Sequence, residues 1–284
     1  MERMDAMNNV VLHNGVTMPE IGFGTAKVGR EDGVSIVSSA IQTGYRHIDT
    51  ASFYGNEVEV GQAVAKSGIA RKEFFVTTKA WRAELGYDNV LRAFDQSCKR
   101  LGMDQVDLYL LHWPKPSDDY EDWKRLDRES WKAAEYLYEQ GGARAIGVSN
   151  FLVHHLENLF VQANVCPMVN QIEFHPGYTQ WDTVQFSKVN QIQMQAWSPL
   201  GRQRMAEDPL LRELAGKYGV STSQICIKFA LQCGVTPLPK SSNPQRMAEN
   251  LAMDFTISPE DMLRIHAMPL TGWSGEHPDR DKKK

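Results

Sequence analysis

Short apolar runs of β-forming residues alternate with longer amphipathic stretches along almost the entire chain, with roughly thirty residues in each unit. Runs such as VDLYLLH lack an alternation of polar and apolar residues, which is typical of parallel strands covered on both faces. The eight predicted strands are residues 21–25, 47–50, 74–79, 106–112, 144–149, 169–173, 193–197 and 235–239. Helical patterns lie between them, including residues 33–43, 56–66, 88–101, 127–139, 153–162 and 222–232. Eight strand–helix units predict an α/β chain whose strands close into a (β/α)8 TIM barrel.

An open, doubly wound sheet is the main structural alternative, and it normally carries a glycine-rich phosphate turn after its first strand. Here that turn reads GFGTAK, with Lys27 where the third glycine of the dinucleotide fingerprint belongs, so the barrel is favoured. Before the first strand, an Asn14-Gly15 turn between two apolar runs predicts a β-hairpin that closes the bottom of the barrel. We expect a single domain over residues 1–284, with the barrel and hairpin at about 9–270 and a C-terminal loop and tail at 271–284. The last residues, DRDKKK, are expected to form a solvated tail.

The composition excludes several classes of function. The 31 basic and 35 acidic residues are interspersed and give a net charge of −4, which offers no basis for binding nucleic acid or an anionic membrane. No apolar run approaches the ~20 residues of a membrane span, and the first residues, MERMDAMNNV, lack the apolar stretch of a signal peptide. Four cysteines without a CxxC pair predict reduced thiols in a cytoplasmic protein. The expected partner is therefore a small molecule.

Polar side chains follow three neighbouring strands at the point where each strand ends, which is where the chemistry of such barrels takes place. Asp49, Lys79 and His112 occupy these positions after the second, third and fourth strands. Because burying a Lys or an Asp is costly unless it is paired, we expect Asp49 and Lys79 to form an ion pair. Tyr54 follows closely in the sequence, and a nearby ammonium is expected to lower its pKa from about 10 towards the range of a general acid. Taken singly, each of these residues is more often structural than catalytic.

Seven segments follow one another through nearly the whole chain: GYRHIDTASFYGNE, TTKAW, DLYLLHWP, AIGVSNF, NQIEFHP, WSPLG and PKSSNPQRMAEN. In order and spacing they resemble the signature segments of the aldo-keto reductases. The resemblance implies reduction of a carbonyl to an alcohol, by hydride transfer from NADPH and with a tyrosine protonating the developing alkoxide. It assigns catalysis to Asp49, Tyr54, Lys79 and His112, with Tyr54 as the proton donor and His112 orienting the carbonyl.

A helix is predicted to begin at Pro244, because Ser or Asn before a proline is a typical helix start. Free N–H groups and the helix dipole make such a terminus an anion site, and Lys240 and Arg246 flank it. From this segment alone, an ordinary capped surface helix explains these residues equally well. The resemblance implies that this end holds the adenosine part of NADPH, with both cations on the 2′-phosphate, and that residues ending the fifth to seventh strands hold the nicotinamide. The cofactor residues assigned in this way are Ser149, Asn150, Gln171, Trp197, Ser198, Leu200, Lys240, Ser241, Arg246, Glu249 and Asn250.

The substrate pocket is expected to have aromatic walls. The residues assigned to it are Phe53, Trp81, His112 and Trp113, and Trp273 in the C-terminal loop is a further candidate. Ala26 at the end of the first strand and the short segment 201–208 resemble the bacterial, 2,5-diketo-D-gluconate reductase-like branch of the family and predict a wide site. Small aldehydes, dicarbonyls such as methylglyoxal, and keto-sugars are all compatible substrates.

Two other functions stay open at this point. The same fold also serves as a nicotinamide-binding, non-catalytic subunit, although such a role does not require the four catalytic residues that are intact here. A barrel isomerase of sugar phosphates would use the same phosphate site without nicotinamide. No cluster of His, Cys and carboxylate residues has convincing metal-ligand spacing, and the adjacent His154 and His155 are expected to have a surface or interface role. A monomer is the expectation from the family.

Overall fold

The computed structural model describes residues 9–117 and 119–280. The expectations for the chain start before residue 9 and for the tail at 281–284 lie outside this part of the chain. The strands are β1 (Asn9–Val11), β2 (Thr17–Pro19), β3 (Phe23–Gly24), β4 (His47–Asp49), β5 (Phe75–Ala80), β6 (Val106–Leu111), β7 (Ala143–Ser149), β8 (Val169–Glu173), β9 (Gln193–Trp197) and β10 (Val235–Pro237). Strands β3 to β10 form one parallel sheet in which each strand pairs with the next in the sequence.

Two backbone hydrogen bonds close this sheet between its first and last strands. The Gly22 N–H donates to the Pro237 carbonyl (3.0 Å) and the Gly24 N–H donates to the Pro239 carbonyl (3.1 Å). A Cβ atom at Gly24 would lie 2.9 Å from the Leu238 carbonyl oxygen, so the close approach of the two strands requires glycine there. Both strands are shorter than predicted, because proline has no N–H to contribute to a regular ladder. The predicted (β/α)8 barrel is confirmed.

Within residues 9–117 and 119–280, helices lie between successive barrel strands in the sequence, and two more follow the last strand. They are α1 (Arg30–Thr43), α2 (Glu57–Lys66), α3 (Tyr87–Leu101), α4 (Trp123–Glu139), α5 (Val153–Phe160), α6 (Trp181–Val189), α7 (Pro209–Tyr218), α8 (Thr222–Gln232), α9 (Pro244–Leu251) and α10 (Pro259–His266). Helix α9 begins at Pro244 as predicted, and its N-cap Asn243 accepts a hydrogen bond from the Arg246 N–H. None of the helices in residues 9–117 and 119–280 is long and apolar enough to cross a membrane.

The predicted N-terminal hairpin consists of β1 and β2, paired antiparallel with Val10 opposite Met18. The Asn14-Gly15 turn joins them, and Gly15 adopts a positive φ of 85°, which glycine tolerates without strain. Met18 is completely buried, and its Sδ accepts a hydrogen bond of 3.1 Å from the side chain of Gln195 on β9. Because β2 leads directly into the start of β3, the hairpin closes the end of the barrel opposite the strand ends that carry the site, as predicted.

One glycine fixes the distance between two neighbouring helices. Gly61 in α2 faces the carbonyl of Leu101, the last residue of α3, and a Cβ atom at position 61 would collide with that carbonyl group. The atoms it would meet belong to the backbone, so the contact cannot be relieved by rotating a side chain. Helices α2 and α3 follow β4 and β5, which carry two of the predicted catalytic residues.

Candidate active site

The side chain of Lys79 bonds to two of the other predicted catalytic residues, Asp49 and Tyr54. Its Nζ donates to Asp49 Oδ1 (2.7 Å) and to the Thr50 carbonyl (3.0 Å), and it lies 3.3 Å from the Tyr54 hydroxyl oxygen. Lys79 is completely buried at the end of β5, and Asp49 is buried at the end of β4. Tyr54 belongs to a short 3-10 turn, Ser52–Tyr54, that follows β4. The structure therefore contains the predicted ion pair, with Tyr54 next to it.

The environment of these groups holds Lys79 charged and Tyr54 protonated. Burial alone would lower the pKa of Lys79, but Asp49 and Tyr54 outweigh it, so the pKa is raised above its usual value. Burial raises the pKa of Tyr54 above its usual value, and the charge and hydrogen bond of Lys79 offset only part of that increase. The carboxylates of Asp49 and Glu276 raise the Tyr54 pKa further. The sequence-based prediction that the Tyr54 pKa falls is wrong, because it took account of the ammonium and not of the burial.

His112 follows β6 and contacts Tyr54 with its ring, at a centroid distance of 5.6 Å in an edge-to-face arrangement. Burial, and then the charges of Lys79 and Arg82, hold the pKa of His112 well below its usual value. The imidazole is therefore neutral at neutral pH. Within the described residues, its Nδ1 atom is buried without a hydrogen-bond partner. A neutral imidazole has one N–H, which it can donate to a carbonyl oxygen without adding charge to the site.

A chain of amide hydrogen bonds runs from Asp49 into the barrel. Asp49 Oδ2 accepts from Gln171 Nε2 (2.8 Å), which also donates to Gln195 Oε1 (2.9 Å). Gln195 Nε2 in turn donates to the sulfur of Met18. Gln171 is a predicted cofactor residue, whereas Gln195 was missed. A glutamine within the otherwise apolar part of β9 is the sequence signal that marks it.

The other residues predicted to hold the nicotinamide lie beside this network, at the ends of β7 and β9. Ser149 donates through Oγ to the Gln171 carbonyl (2.8 Å), and Asn150 donates through Nδ2 to the His112 carbonyl (2.9 Å). Trp197 donates its indole N–H to Asn150 Oδ1 (2.8 Å). Asn150 adopts a positive φ of 64°, a conformation that Asn tolerates better than most residues. The structure thus brings these three residues and Gln171 together next to Asp49 and His112.

A cavity of about 350 Å³ lies beyond the end of β10. Six of the predicted cofactor residues line it: Leu200, Lys240, Ser241, Arg246, Glu249 and Asn250. The start of α8 also contributes, through Ser221, Thr222 and Ser223, which no sequence motif marked. Ser198, the remaining predicted residue, follows Trp197 in the chain and precedes Leu200, and it adopts a positive φ of 50°. The donor set fits a nucleotide phosphate, because a helix start and two cationic side chains face one polar cavity.

The aromatic residues predicted to line the substrate pocket contact one another beside His112. Phe53 is 59% exposed and stacks on Trp81 with ring centroids 3.7 Å apart, and Trp81 meets His112 edge to face. Arg82 packs against the rings of both Trp81 and Trp113, at 5.3 and 4.7 Å from their centroids. Trp113 itself is buried, so it supports the wall more than it forms the surface. Ala26 is exposed, and the wide site that it predicts stays a prediction.

The C-terminal segment 271–280 lies against the loops that follow β8 and β9. Ser274 donates through N–H and Oγ to the buried carboxylate of Glu173 (3.0 and 2.7 Å). Arg202 forms an ion pair with Glu276 (2.6 Å) and lies 5.7 Å from the ring centroid of Trp197. Trp273 is 39% exposed and donates its indole N–H to the Glu276 carbonyl. This places the segment beside the nicotinamide end of the site.

Asp279 attaches the end of this segment to the barrel. His155 accepts the Leu152 N–H on Nδ1 (3.1 Å), so its proton is on Nε2, which lies 3.1 Å from Asp279 Oδ1. Lys115 also binds Asp279 (2.7 Å), and His154 lies 3.3 Å from it. His154, His155 and Asp279 lie close enough together to face one metal ion, but Lys115 and the His155 Nε2–H already bond to Asp279 Oδ1, which accounts for the cluster without an ion. Asp279 is thus held in place, contrary to the expectation of a solvated tail from that residue onwards, and His155 is buried rather than at the surface.

The eight-stranded parallel barrel, the Tyr54–Lys79–Asp49 group and the cavity lined by two cationic side chains fit an oxidoreductase of the α/β-barrel class. The model of the Aldo/keto reductase family matches residues 20–268, and the chain belongs to that family, as the sequence motifs predicted.

Similar proteins include two bacterial reductases of small dicarbonyls. The chain is 44% identical over 274 residues to the glyoxal reductase of Bacillus subtilis, and the match covers 96% of each protein. It is 38% identical over 273 residues to the methylglyoxal reductase DkgA of Salmonella typhimurium, covering 95% of this chain and 96% of the relative. Among solved structures, a mutant of Gox0644 in complex with NADPH superposes with a TM-score of 0.90 at 36% identity, covering 98% of this chain and 100% of the other.

Proposed function

We propose that this protein is an NADPH-dependent reductase of aldehyde and ketone carbonyls, with Tyr54 as the general acid. The observation that carries the proposal is the position of the Lys79 ammonium, which donates to Asp49 and to the Thr50 carbonyl and lies within hydrogen-bond distance of the Tyr54 oxygen. Two relatives that reduce glyoxal and methylglyoxal, and a neighbouring structure that holds NADPH, support this reaction and this cofactor.

The Lys79 contact decides where the Tyr54 proton goes. Because Lys79 donates to the Tyr54 oxygen, the hydroxyl proton of Tyr54 is left to point towards a bound carbonyl. When this proton moves to the developing alkoxide, the negative charge appears on the phenol oxygen, next to a buried ammonium. The raised pKa of Tyr54 keeps the proton in place until a stronger base, the alkoxide, is present. Asp49 keeps Lys79 charged and oriented.

His112 and the cofactor complete the reaction. NADPH, when bound, supplies the hydride that adds to the carbonyl carbon. The neutral imidazole of His112 donates its N–H to the carbonyl oxygen and holds that oxygen near the Tyr54 hydroxyl. The oxygen then receives the proton of Tyr54, so the carbonyl gains one hydride and one proton and leaves as an alcohol.

The residues of the cavity and of the strand ends would hold the cofactor between them. Lys240 and Arg246 would bind the 2′-phosphate, and Ser241, Glu249 and Asn250 would bind the rest of the adenosine end. Ser149, Asn150 and Gln171 would bind the carboxamide of the nicotinamide, and the Trp197 ring offers a flat surface for stacking. Leu200 lines the cavity with the adenosine-end residues, and Ser198 lies in the chain between Leu200 and Trp197. The cations at one end favour NADPH over NADH.

The aromatic walls set the class of substrate. Phe53 and Trp81 present an apolar, partly exposed surface beside His112, with Trp113 packed behind them and Trp273 on the C-terminal segment as a further contact. Such a surface suits small aldehydes, dicarbonyls and keto-sugars, which bring few charges to the site. The monomeric state, the single-domain organisation and the cytoplasmic location stay predictions.

The test combines binding with turnover. We expect NADPH to quench the tryptophan fluorescence of the purified protein, and sugar phosphates to leave it unchanged. We also expect the absorbance of the reduced nicotinamide to fall when glyoxal, methylglyoxal or a simple aldehyde is added. Binding of NADPH without reduction of any carbonyl would instead indicate a non-catalytic subunit. Failure to bind NADPH would overturn the proposed function.

A further inference from the structure

Gln195 is a completely buried amide in the middle of β9, inside the barrel, and the proposed reaction does not use it. Its side chain makes two hydrogen bonds: Oε1 accepts from Gln171 Nε2 (2.9 Å), and Nε2 donates to Met18 Sδ (3.1 Å). Gln195 and Gln171 are direct neighbours on adjacent parallel strands. Burying an amide costs free energy unless its polar atoms form hydrogen bonds. The hydrogen bonds of Gln195 belong to one line of bonds, which runs from Met18 through Gln195 and Gln171 to Asp49.

This line fixes which way the Gln171 amide faces. An amide nitrogen carries two hydrogens, and Gln171 donates one to Asp49 Oδ2 (2.8 Å) and the other to Gln195 Oε1. The charged carboxylate of Asp49 only accepts, so the nitrogen and not the oxygen of Gln171 must face it. With both hydrogens committed, the group that Gln171 has left for a ligand is its oxygen, which accepts hydrogen bonds.

We propose that Gln195 is a positioning residue that acts through Gln171 on the carboxamide of the nicotinamide. It holds the Gln171 amide so that Oε1 is presented to an N–H donor, and the carboxamide of NADPH carries such a donor. The inference rests on the proposed function, because it concerns the cofactor that this function requires. Gln195 does not touch the cofactor, and its whole effect is transmitted by one hydrogen bond.

The test replaces the accepting oxygen and keeps the shape of the side chain. Gln195→Met has nearly the same length and leaves only a weak sulfur acceptor, whereas Gln195→Glu keeps an accepting oxygen for Gln171. Gln193→Leu is the matched control on the same strand, because Gln193 bonds to the backbone of Met194 and Gly234 at the other end of the barrel. Binding of NADPH and of adenosine 2′,5′-bisphosphate, which lacks the nicotinamide, is measured by fluorescence or calorimetry.

We expect Gln195→Met to weaken NADPH binding by about tenfold, the effect of one hydrogen bond, and to leave binding of the bisphosphate unchanged. Gln193→Leu should bind both ligands as the wild type does. So should Gln195→Glu, because a carboxyl buried without a cation takes up a proton, stays neutral and keeps an oxygen that accepts from Gln171. In a Gln171→Leu background, Gln195→Met should cause no further loss, because the residue through which it acts is gone.

Equal weakening of both ligands by Gln195→Met would show a general structural role and overturn the inference. So would unchanged NADPH binding in this variant, or a full further loss in the Gln171→Leu background. Gln195→Leu serves the same comparison if the methionine variant does not fold. A folded wild-type protein that binds the bisphosphate and not NADPH would overturn the proposed function itself, a result distinct from a normal wild type with an unaffected Gln195 variant.

Discussion

Replacing Lys79 by methionine removes the charge from the centre of the site and keeps most of the volume of the side chain. Asp49 would then be a buried carboxylate without its cation, because the Lys79 Nζ is the group 2.7 Å from its Oδ1. The Thr50 carbonyl and the Tyr54 oxygen lose the same donor. Breaking a buried ion pair by removing one partner typically costs about 3–5 kcal/mol. Since domains are stable by about 5–15 kcal/mol, we expect a large and easily measured loss.

The assay is urea denaturation, followed by circular dichroism, of the wild type, Lys79→Met, Asp49→Asn and the double variant. If the loss comes from the unpaired carboxylate, Asp49→Asn should restore part of the stability of Lys79→Met, with a coupling energy of at least about 2 kcal/mol. The loss should be nearly the same at low and high ionic strength, because a buried pair is little screened by salt. Strictly additive effects of the two substitutions, or a loss that vanishes in salt, would refute this account of the pair.

Three further predictions concern the cofactor cavity, the buried carboxyl of Asp127 and the contact between helices α2 and α3. Arg246→Ala should raise the dissociation constant for NADPH by at least about tenfold and leave that for NADH nearly unchanged, since a charge-assisted bond to the 2′-phosphate is lost; both are read by fluorescence titration. Burial raises the pKa of Asp127 in α4 well above its usual value, and its oxygens have no hydrogen-bond partner within the described residues. Because the pKa of Asp127 is higher in the folded protein than in the unfolded chain, wild-type stability falls as the pH rises from about 4 through the folded-state pKa. Asp127→Asn should therefore stabilise the protein by about 1–3 kcal/mol above the folded-state pKa and have little effect below about pH 4. Urea denaturation on both sides of this pH range checks the prediction. Gly61→Ala should destabilise the protein by about 1–3 kcal/mol in thermal denaturation, because the added Cβ meets the backbone of Leu101. Gly216→Ala is the control, because a Cβ at this helical position would meet no other atom within 4 Å.

Much of the fold follows from local signals in the sequence. The alternation of apolar runs and amphipathic stretches predicts the eight strands, and the Asn14-Gly15 turn predicts the hairpin, because both depend on residues close together in the chain. The ends of β3 and β10 were predicted less accurately. Their pairing joins the two ends of the barrel through glycine and proline residues, and such a long-range contact leaves no periodic pattern.

The predicted catalytic residues could be found from the sequence because Asp49, Lys79 and His112 stand at strand ends, where a barrel brings side chains together, and Tyr54 lies in the turn that follows β4. The direction of the Tyr54 pKa could not be found in this way, because it depends on burial by loops and on Glu276, more than two hundred residues away in the chain. Gln195 and the attachment of Asp279 to His155 were missed for the same reason. Each depends on a partner that only the folded barrel places beside it.

The most direct test of the central claim is the reduction of glyoxal or a simple aldehyde by Tyr54→Phe, measured beside its affinity for NADPH. If Tyr54 is the general acid, the rate falls by at least about 10²-fold and the NADPH affinity stays that of the wild type, because the ring is kept and only the hydroxyl is removed. A Tyr54→Phe protein that reduces the carbonyl at the wild-type rate would contradict the account. Near-wild-type turnover would mean that the proton comes from another group.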